Sequence, residues 1–221
     1  TITDDKSCTT TDTVIIYESL TPITITIIDI DSVNCPGGND GSAEILASGS
    51  TLAYTYNWTN LQAGPILSAV TAGTYLCNII DDNGCVFPYH LTIYQPDPLD
   101  IDIIQDSVDC HNDSTGNAIA TVSGGTQSYT YSWNNGQNDD TLSNVIAGTY
   151  ILVIDDYYGC PGFGSVTILE PDTLITFITR TDISCFGFDD GLGIAGAVGG
   201  TTPYDYLWSN SQINDTASNL V

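Results

Sequence analysis

Apolar and polar residues alternate with a period of two along most of this chain. In 99–173 the stretches DIDIIQDSV, NAIATVSGG, SYTYSW, TLSNV, GTYILVID and GSVTILE each put apolar side chains on one face, as half-buried β-strands do. Gly, Asn and Asp separate them, the residues that tight turns favour. No window sustains an apolar period of 3.6, so the pattern predicts no helix. About six or seven short strands in roughly 75 residues predict a small β-sandwich of immunoglobulin-like type.

The pattern repeats. AGTYLCNIIDDNGC at 72–85 returns as AGTYILVIDDYYGC at 147–160, and TITDDKSC at 1–8 is a degenerate copy. Cys35, Cys110 and Cys185 are evenly spaced, and Trp58, Trp133 and Trp208 keep the same interval. Cys85 and Cys160 keep it too, and Cys8 precedes Cys85 by nearly the same distance. Such a fixed period, about 75 residues, marks an array of supersecondary units. The expected organisation is the end of one unit (1–23), complete units at 24–98 and 99–173, and the start of another (174–221). The chain is thus expected to be an excerpt of a longer array. YQPDPLD and LEPDTLI join the units, and their prolines predict stiff linkers and a linear rod with little bending.

By the period of two, Tyr54, Tyr56 and Trp58 share a strand face, as do Tyr129, Tyr131 and Trp133. Trp58, Trp133 and Trp208 are expected to plug the space between sheets; an aromatic sugar-binding stripe is the other reading. Gly73 and Gly148 permit a corner ahead of Tyr75 and Tyr150, which are expected to form tyrosine corners that tie hydroxyl to backbone.

Charge then narrows the function. The chain carries 27 Asp and Glu against Lys6 and Arg180, a formal net charge of −25. That excludes unaided binding of nucleic acid or an anionic membrane. No apolar run approaches the roughly 20 residues of a membrane span, so direct insertion is not expected. His90 and His111 occupy non-equivalent positions outside any catalytic motif, and the paired acids recur in every unit at turns, so no enzyme is expected. Asn39, Asp40, Asp81, Asp82, Asp155, Asp156, Asp189 and Asp190 offer oxygens in loops, so Ca²⁺ is the one cofactor candidate, without an EF-hand pattern. Solvated acidic turns are the plainer reading.

Seven regularly spaced cysteines suit an oxidising, extracellular setting. The interval from Cys35 to Cys85 equals that from Cys110 to Cys160, so one disulfide inside each unit is expected. The alternative is a Cys85–Cys110 bridge across a junction. Cys8 and Cys185 would pair outside this stretch. Cys77, which stands where the next unit has Leu152, is expected to be a buried free thiol.

The ordered motifs resemble a known family. SVNCPGGNDGSAEI, the Tyr-rich strand ending in Trp58, AGTY and IDDNGC are similar to the SprB-type repeat; SVDCHNDSTGNAIA, GGTQSYTYSWNNG, AGTY and IDDYYGC repeat the signature, and ISCFGFDDGLGIA with GGTTPYDYLWSN begins it again. GSTLA at 49–53 and the extra Cys77 depart from it. The resemblance implies a stalk segment of a giant surface adhesin of gliding bacteria, exported by the type IX secretion system. It implies an extracellular, outer-membrane-attached location. Partners would be a substratum or polysaccharide gripped by the parent protein, and the motility and secretion machinery. O-glycosylation after aspartate is implied at Thr13, Ser32, Ser107, Ser114, Thr141, Thr173 and Thr216. A carbohydrate- or ligand-binding array of another surface protein is the competing function.

Overall fold

The computed structural model describes residues 1–16 and 21–221; residues 17–20 of the expected 1–23 segment lie outside the described residues. Among the described residues every regular element is a β-strand, in two compact units, Thr1–Pro96 and Asp97–Val221. The first unit opens on a hairpin of β1 (Ile2–Thr3) and β2 (Thr9–Thr10). Then come β3 (Thr24–Asp31), β4 (Gly41–Ser48), β5 (Thr55–Trp58), β6 (Ile66–Val70), β7 (Gly73–Ile80) and β8 (Val86–Ile93). They form two antiparallel sheets, ordered β3-β4-β6 and β5-β7-β8. The chain changes sheet after β4, β5 and β6, which staples the two layers together.

The second unit repeats the plan. β9 (Asp100–Asp106), β10 (Gly116–Ser123) and β12 (Thr141–Val145) form one sheet; β11 (Thr130–Trp133), β13 (Gly148–Asp155) and β14 (Pro161–Ile168) form the other. β15 (Ile175–Thr181), β16 (Gly191–Val198) and β17 (Thr216–Leu220) then rebuild the first sheet of the plan. The fold is all-β, with repeated immunoglobulin-like sandwiches.

Each sandwich buries the inward half of its alternating pattern. Along β4, Ala43, Ile45 and Ala47 are buried; β7 buries Cys77 and Ile79, and Val33, Trp58, Leu67, Val70, Leu91 and Ile93 join them. In the second unit Val108, Ala118, Ala120, Trp133, Leu142, Val145, Leu152, Ile154, Val166 and Ile168 occupy the same positions, one repeat further on. Burying each Val, Leu or Ile contributes roughly 1.5–3 kcal/mol, so these positions dominate stability. Trp208 differs from its two counterparts: it is only half-buried, because among the described residues no second sheet covers β15–β17.

The expected disulfides are corrected. Cys35 and Cys160 are disulfide-bonded, whereas Cys85 and Cys110 carry free thiols, so neither Cys35–Cys85, nor Cys110–Cys160, nor Cys85–Cys110 is formed. The cause is strand length. Cys35 follows β3 at the end where β8 finishes: the Val33 N–H donates to the Tyr94 carbonyl at 2.8 Å and the Gly37 N–H to Gln95 Oε1 at 2.9 Å. Cys85 closes the β7–β8 turn at the other end, beside Ser50. An eight-residue strand lies between them, about 26 Å at 3.3 Å per residue, against a limit of about 7 Å between bridged Cα atoms. Cys110 and Cys160 are separated in the same way.

Cys77 is a buried free thiol on β7. Burial pushes its pKa up to about 11, against a smaller opposing effect of a backbone hydrogen bond from Asn57. Since the thiolate is the reactive form, iodoacetamide at pH 8 is expected to label the exposed Cys8, Cys85, Cys110 and Cys185 and to spare Cys77 until denaturant is added. Equal labelling of Cys77 in native protein would contradict this.

Candidate functional site

The acidic turn after β7 and β13 is built on one carboxylate. Asp81 and Asp156 are the buried polar residues of the described chain, each only 4% exposed. Asp156 accepts from the N–H groups of Thr126 (2.8 Å), Tyr158 (2.9 Å) and Cys160 (2.9 Å). Asp81 accepts from the Ser50 hydroxyl at 2.6 Å and the Cys85 N–H at 2.8 Å. Asp4 serves the degenerate copy, accepting from the Lys6 and Cys8 N–H groups at 2.9 and 2.8 Å. Turn donors that would otherwise be left unpaired thus all converge on an anion. In both complete repeats this carboxylate ties the β7–β8 or β13–β14 turn to the loop that leaves the opposite sheet.

Asp81, Asp156 and Asp190 titrate low. The Ser50 hydroxyl, then the Cys85 N–H, holds Asp81 below the usual carboxylate range. Burial pushes Asp156 upward, but donors from Thr126, Cys160, Tyr158 and Gly159 outweigh it and the net shift is down. Asp190 is lowered by the Ser184 hydroxyl and N–H. A group with a lowered folded pKa contributes stability that is complete above its unfolded pKa and is lost as pH falls through the folded value. The melting temperature is therefore expected to fall steadily below about pH 4, and the fall should be shallower in Asp156→Asn. An unchanged acid profile in that variant would refute this role.

Two further devices recur at the core. The indole N–H of Trp58, Trp133 and Trp208 donates to the carbonyl six residues on: Gly64 at 3.0 Å, Asp139 at 3.0 Å and Asn214 at 2.8 Å. Beside it a glutamine brackets the loop: Gln137 Nε2 donates to the Ser143 carbonyl at 2.9 Å while its Oε1 accepts the Ser143 N–H at 2.9 Å, and Gln62 and Gln212 do the same to Ser68 and Ser218. The sequence reading missed this bracket, although the even spacing of the three glutamines was its visible signal. Tyr75 and Tyr150 form tyrosine corners, donating to the carbonyls of Thr71 at 2.8 Å and Ile146 at 3.0 Å.

These devices use up the aromatic stripe. Tyr56, Trp58 and Trp133 are buried, and the Tyr54 and Tyr129 hydroxyls donate to the carbonyls of Gly49 and Gly124.

The loop acids are spread rather than gathered. Asp40 accepts from the Asn34 N–H at 3.2 Å, and Asp190 accepts from the Ser184 hydroxyl at 2.6 Å. Asp155 is half-buried, while Asn39, Asp82 and Asp189 are exposed. Among the described residues no three of His, Cys, Asp and Glu gather as metal ligands would. Both histidines are exposed; His111 sits 3.2 Å from the Pro171 carbonyl and 3.4 Å from Glu170. Thr13, Ser32, Ser107, Ser114 and Thr173 are exposed, whereas Thr141 and Thr216 are half-buried and donate to the aspartate before them at 3.0 Å. A cavity of about 420 Å³ opens on the uncovered face of β15–β16, lined by Leu174, Ile178, Ala195, Tyr204 and Trp208.

Residues 27–63 and 103–138 match the family model of the SprB repeat. This chain contains SprB repeats. Each match starts inside β3 or β9 and ends in the turn that follows β5 or β11, so it takes in the capping Trp and the start of the loop it closes. No curated protein matches the chain. Solved structures that resemble it include a Dscam structure (15% identity, TM-score 0.30, 68% of this chain and 46% of that one). Others are an amphioxus IgVJ-C2 molecule (17%, 0.31, 62% and 99%) and a C-terminal intimin fragment in complex with a receptor domain (12%, 0.35, 68% and 66%). The chain spans less than half the length of that Dscam structure. The match supports a surface adhesin-like repeat protein. Among the described residues no helix is long and apolar enough to cross a membrane.

Proposed function

We propose that these SprB repeats form a stalk segment of a long extracellular adhesin, attached at the outer membrane of a gliding bacterium and exported by type IX secretion. The observation that carries this reading is which positions recur. Val33/Val108, Ala43/Ala118, Tyr56/Tyr131, Trp58/Trp133, Leu67/Leu142, Asp81/Asp156 and Ile93/Ile168 keep their identity from one repeat to the next, and they line the core, cap a loop or tie a turn. Exposed strand positions are more mixed: Ser48/Ser123, Thr55/Thr130 and Thr74/Thr149 are kept, but Leu46 stands where its counterpart is Thr121, Val86 where it is Pro161, and His90 where it is Ser165. A repeated binding site would repeat its surface; a repeated spacer needs only its scaffold.

The acidic surface keeps such a stalk soluble and repels other anionic polymers. Adhesion then resides in other parts of the parent protein, which engage a substratum or polysaccharide. O-glycans at the exposed Ser32, Ser107 and Thr173 would shield strand edges without disturbing a core. Protein purified from its native source is expected to be heavier than the bare chain by whole glycan masses, and a bare mass would remove that element. The whole chain, applied to a glycan array and then titrated with extracted polysaccharide, is expected to show no saturable binding. Saturable binding would favour the carbohydrate-binding array instead.

A further inference from the structure

Asparagine precedes glycine at two places in the chain: Asn83–Gly84 in the acidic turn after β7, and Asn135–Gly136 in the loop after β11. Such a step is open to a reaction that needs no enzyme. The glycine amide nitrogen attacks the asparagine side-chain carbonyl, and the approach is easy because glycine has no Cβ to obstruct it. As sequence the two steps are equivalent; the structure separates them.

Their backbones match. Both asparagines and both glycines are exposed. Gly84 has φ +78° and Gly136 φ +90°, and nothing lies within 4 Å of a Cβ built on either. Each glycine N–H donates to the carbonyl three residues back, that of Asp81 or Trp133, at 2.9 Å. Space, backbone conformation and the hydrogen bond that the nucleophile must give up are therefore alike at both.

The side chains differ. Asn83 Nδ2 donates to Thr51 Oγ1 at 2.8 Å, which ties the amide to the loop that follows β4. Asn135 is not held in this way; its Oδ1 accepts the Gln137 N–H at 3.2 Å. A bond to the amide two residues on folds an asparagine side chain back along its own following peptide. It also draws electron density from the carbonyl carbon that Gly136 would attack. The same turn recurs in the other repeats, with Asn60 accepting from Gln62 at 3.3 Å and Asn210 from Gln212 at 3.2 Å. There the next residues are Leu61 and Ser211, whose side chains crowd the amide nitrogen. Asn135 combines the turn with a following glycine.

We propose that Asn135 is a site of spontaneous deamidation in the folded protein, and that Asn83 is protected by its bond to Thr51. The Gly136 amide gives its proton to water or hydroxide, and its nitrogen bonds to Asn135 Cγ. The Cγ–Nδ2 bond breaks and Nδ2 leaves as ammonia, taking up a proton, so that a succinimide ring remains. Water then opens the ring at either carbonyl, giving aspartate or isoaspartate; nothing is oxidised or reduced. Either product adds a negative charge to a loop that already holds Asp139 and Asp140. Isoaspartate also lengthens the backbone between Trp133 and Gln137, where the Trp133 N–H donates to the Gln137 carbonyl at 2.8 Å and closes the loop. The second repeat thereby carries a slow chemical change, accumulating with the age of the molecule, in the loop that its core tryptophan caps.

To test this, the whole chain is kept in mildly alkaline heavy-oxygen water, folded in one sample and unfolded by urea in another. Chymotryptic peptides are then read by mass, the label marking each opened ring and fragmentation giving its position. Asn135 is expected to react about tenfold faster than Asn83 in the folded chain, the factor for breaking one ordinary hydrogen bond before attack, and at the same rate in urea. Asn210 and then Asn60 should follow well behind Asn135 in both. Thr51→Val removes the tie and should raise the folded Asn83 rate about tenfold. Equal folded rates at Asn83 and Asn135 overturn the proposal, as does an Asn135 that reacts in urea but not in the folded chain. An unchanged Asn83 rate in Thr51→Val, in protein shown to be folded by circular dichroism, overturns the protection by Thr51. Should that variant not fold, the comparison of Asn83 with Asn135 in the unaltered chain still decides the matter.

Discussion

Gly124→Ala is expected to lower the stability of the 99–173 repeat by about 3 kcal/mol or more, one of the largest effects available to a single methyl group. Gly124 has φ +79°, where an L side chain is strained, and a Cβ built there would overlap the Pro98 carbonyl oxygen. The obstacle is backbone held in place by the Gly125–Asp97 hydrogen bond, so it cannot swing away as a side-chain tip would. The same approach recurs at Gly49, against the Pro22 carbonyl oxygen, and at Gly199, against that of Thr173. Gly136 supplies the control: its φ is +90° but nothing lies within 4 Å, so Gly136→Ala should cost only the conformational strain, about 1 kcal/mol. Urea unfolding of both variants, followed by far-ultraviolet circular dichroism, separates the two effects. Equal losses would show that close packing of the linker on this loop contributes nothing.

Trp133→Ala is expected to cost about 4 kcal/mol, in the range for emptying a large aromatic site. Trp133 is 2% exposed between the sheets, and its indole N–H satisfies the Asp139 carbonyl. Truncation leaves both a cavity and an unpaired acceptor at the loop that Gln137 brackets. Trp208→Ala makes the informative contrast. It removes the equivalent hydrogen bond, to the Asn214 carbonyl, from a side chain that is only half-buried, so about 1 kcal/mol is expected. Native-state hydrogen exchange resolved by peptide gives each repeat its own reading. A Trp133 effect as small as that at Trp208 would mean that the indole caps a loop and does not hold the sheets together.

Both glycine and tryptophan effects bear on function through the same chain of causes. If the repeats are the stalk proposed above, they need resistance to unfolding, and the repeated residues are the ones whose loss unfolds them. Charge enters separately. With a net charge of −25, the surface is set against anionic partners, whatever the fold beneath it.

What the sequence determined by itself was everything governed by short-range periodicity. Alternation of apolar residues located β9–β13 within two residues and β14 with its start three residues late, because side-chain direction in a strand alternates regardless of what the strand packs against. The constant repeat period made the units visible, since every copy must solve the same packing problem. The tyrosine corner was legible because its partner lies four residues away along the chain. What only the tertiary structure decided was which distant groups meet. Cys35 and Cys85 look paired by spacing, but spacing along the chain does not say at which end of a sandwich a turn lies. Asp81 and Asp156 read as solvated turn acids; their burial depends on a loop about 30 residues upstream folding over them.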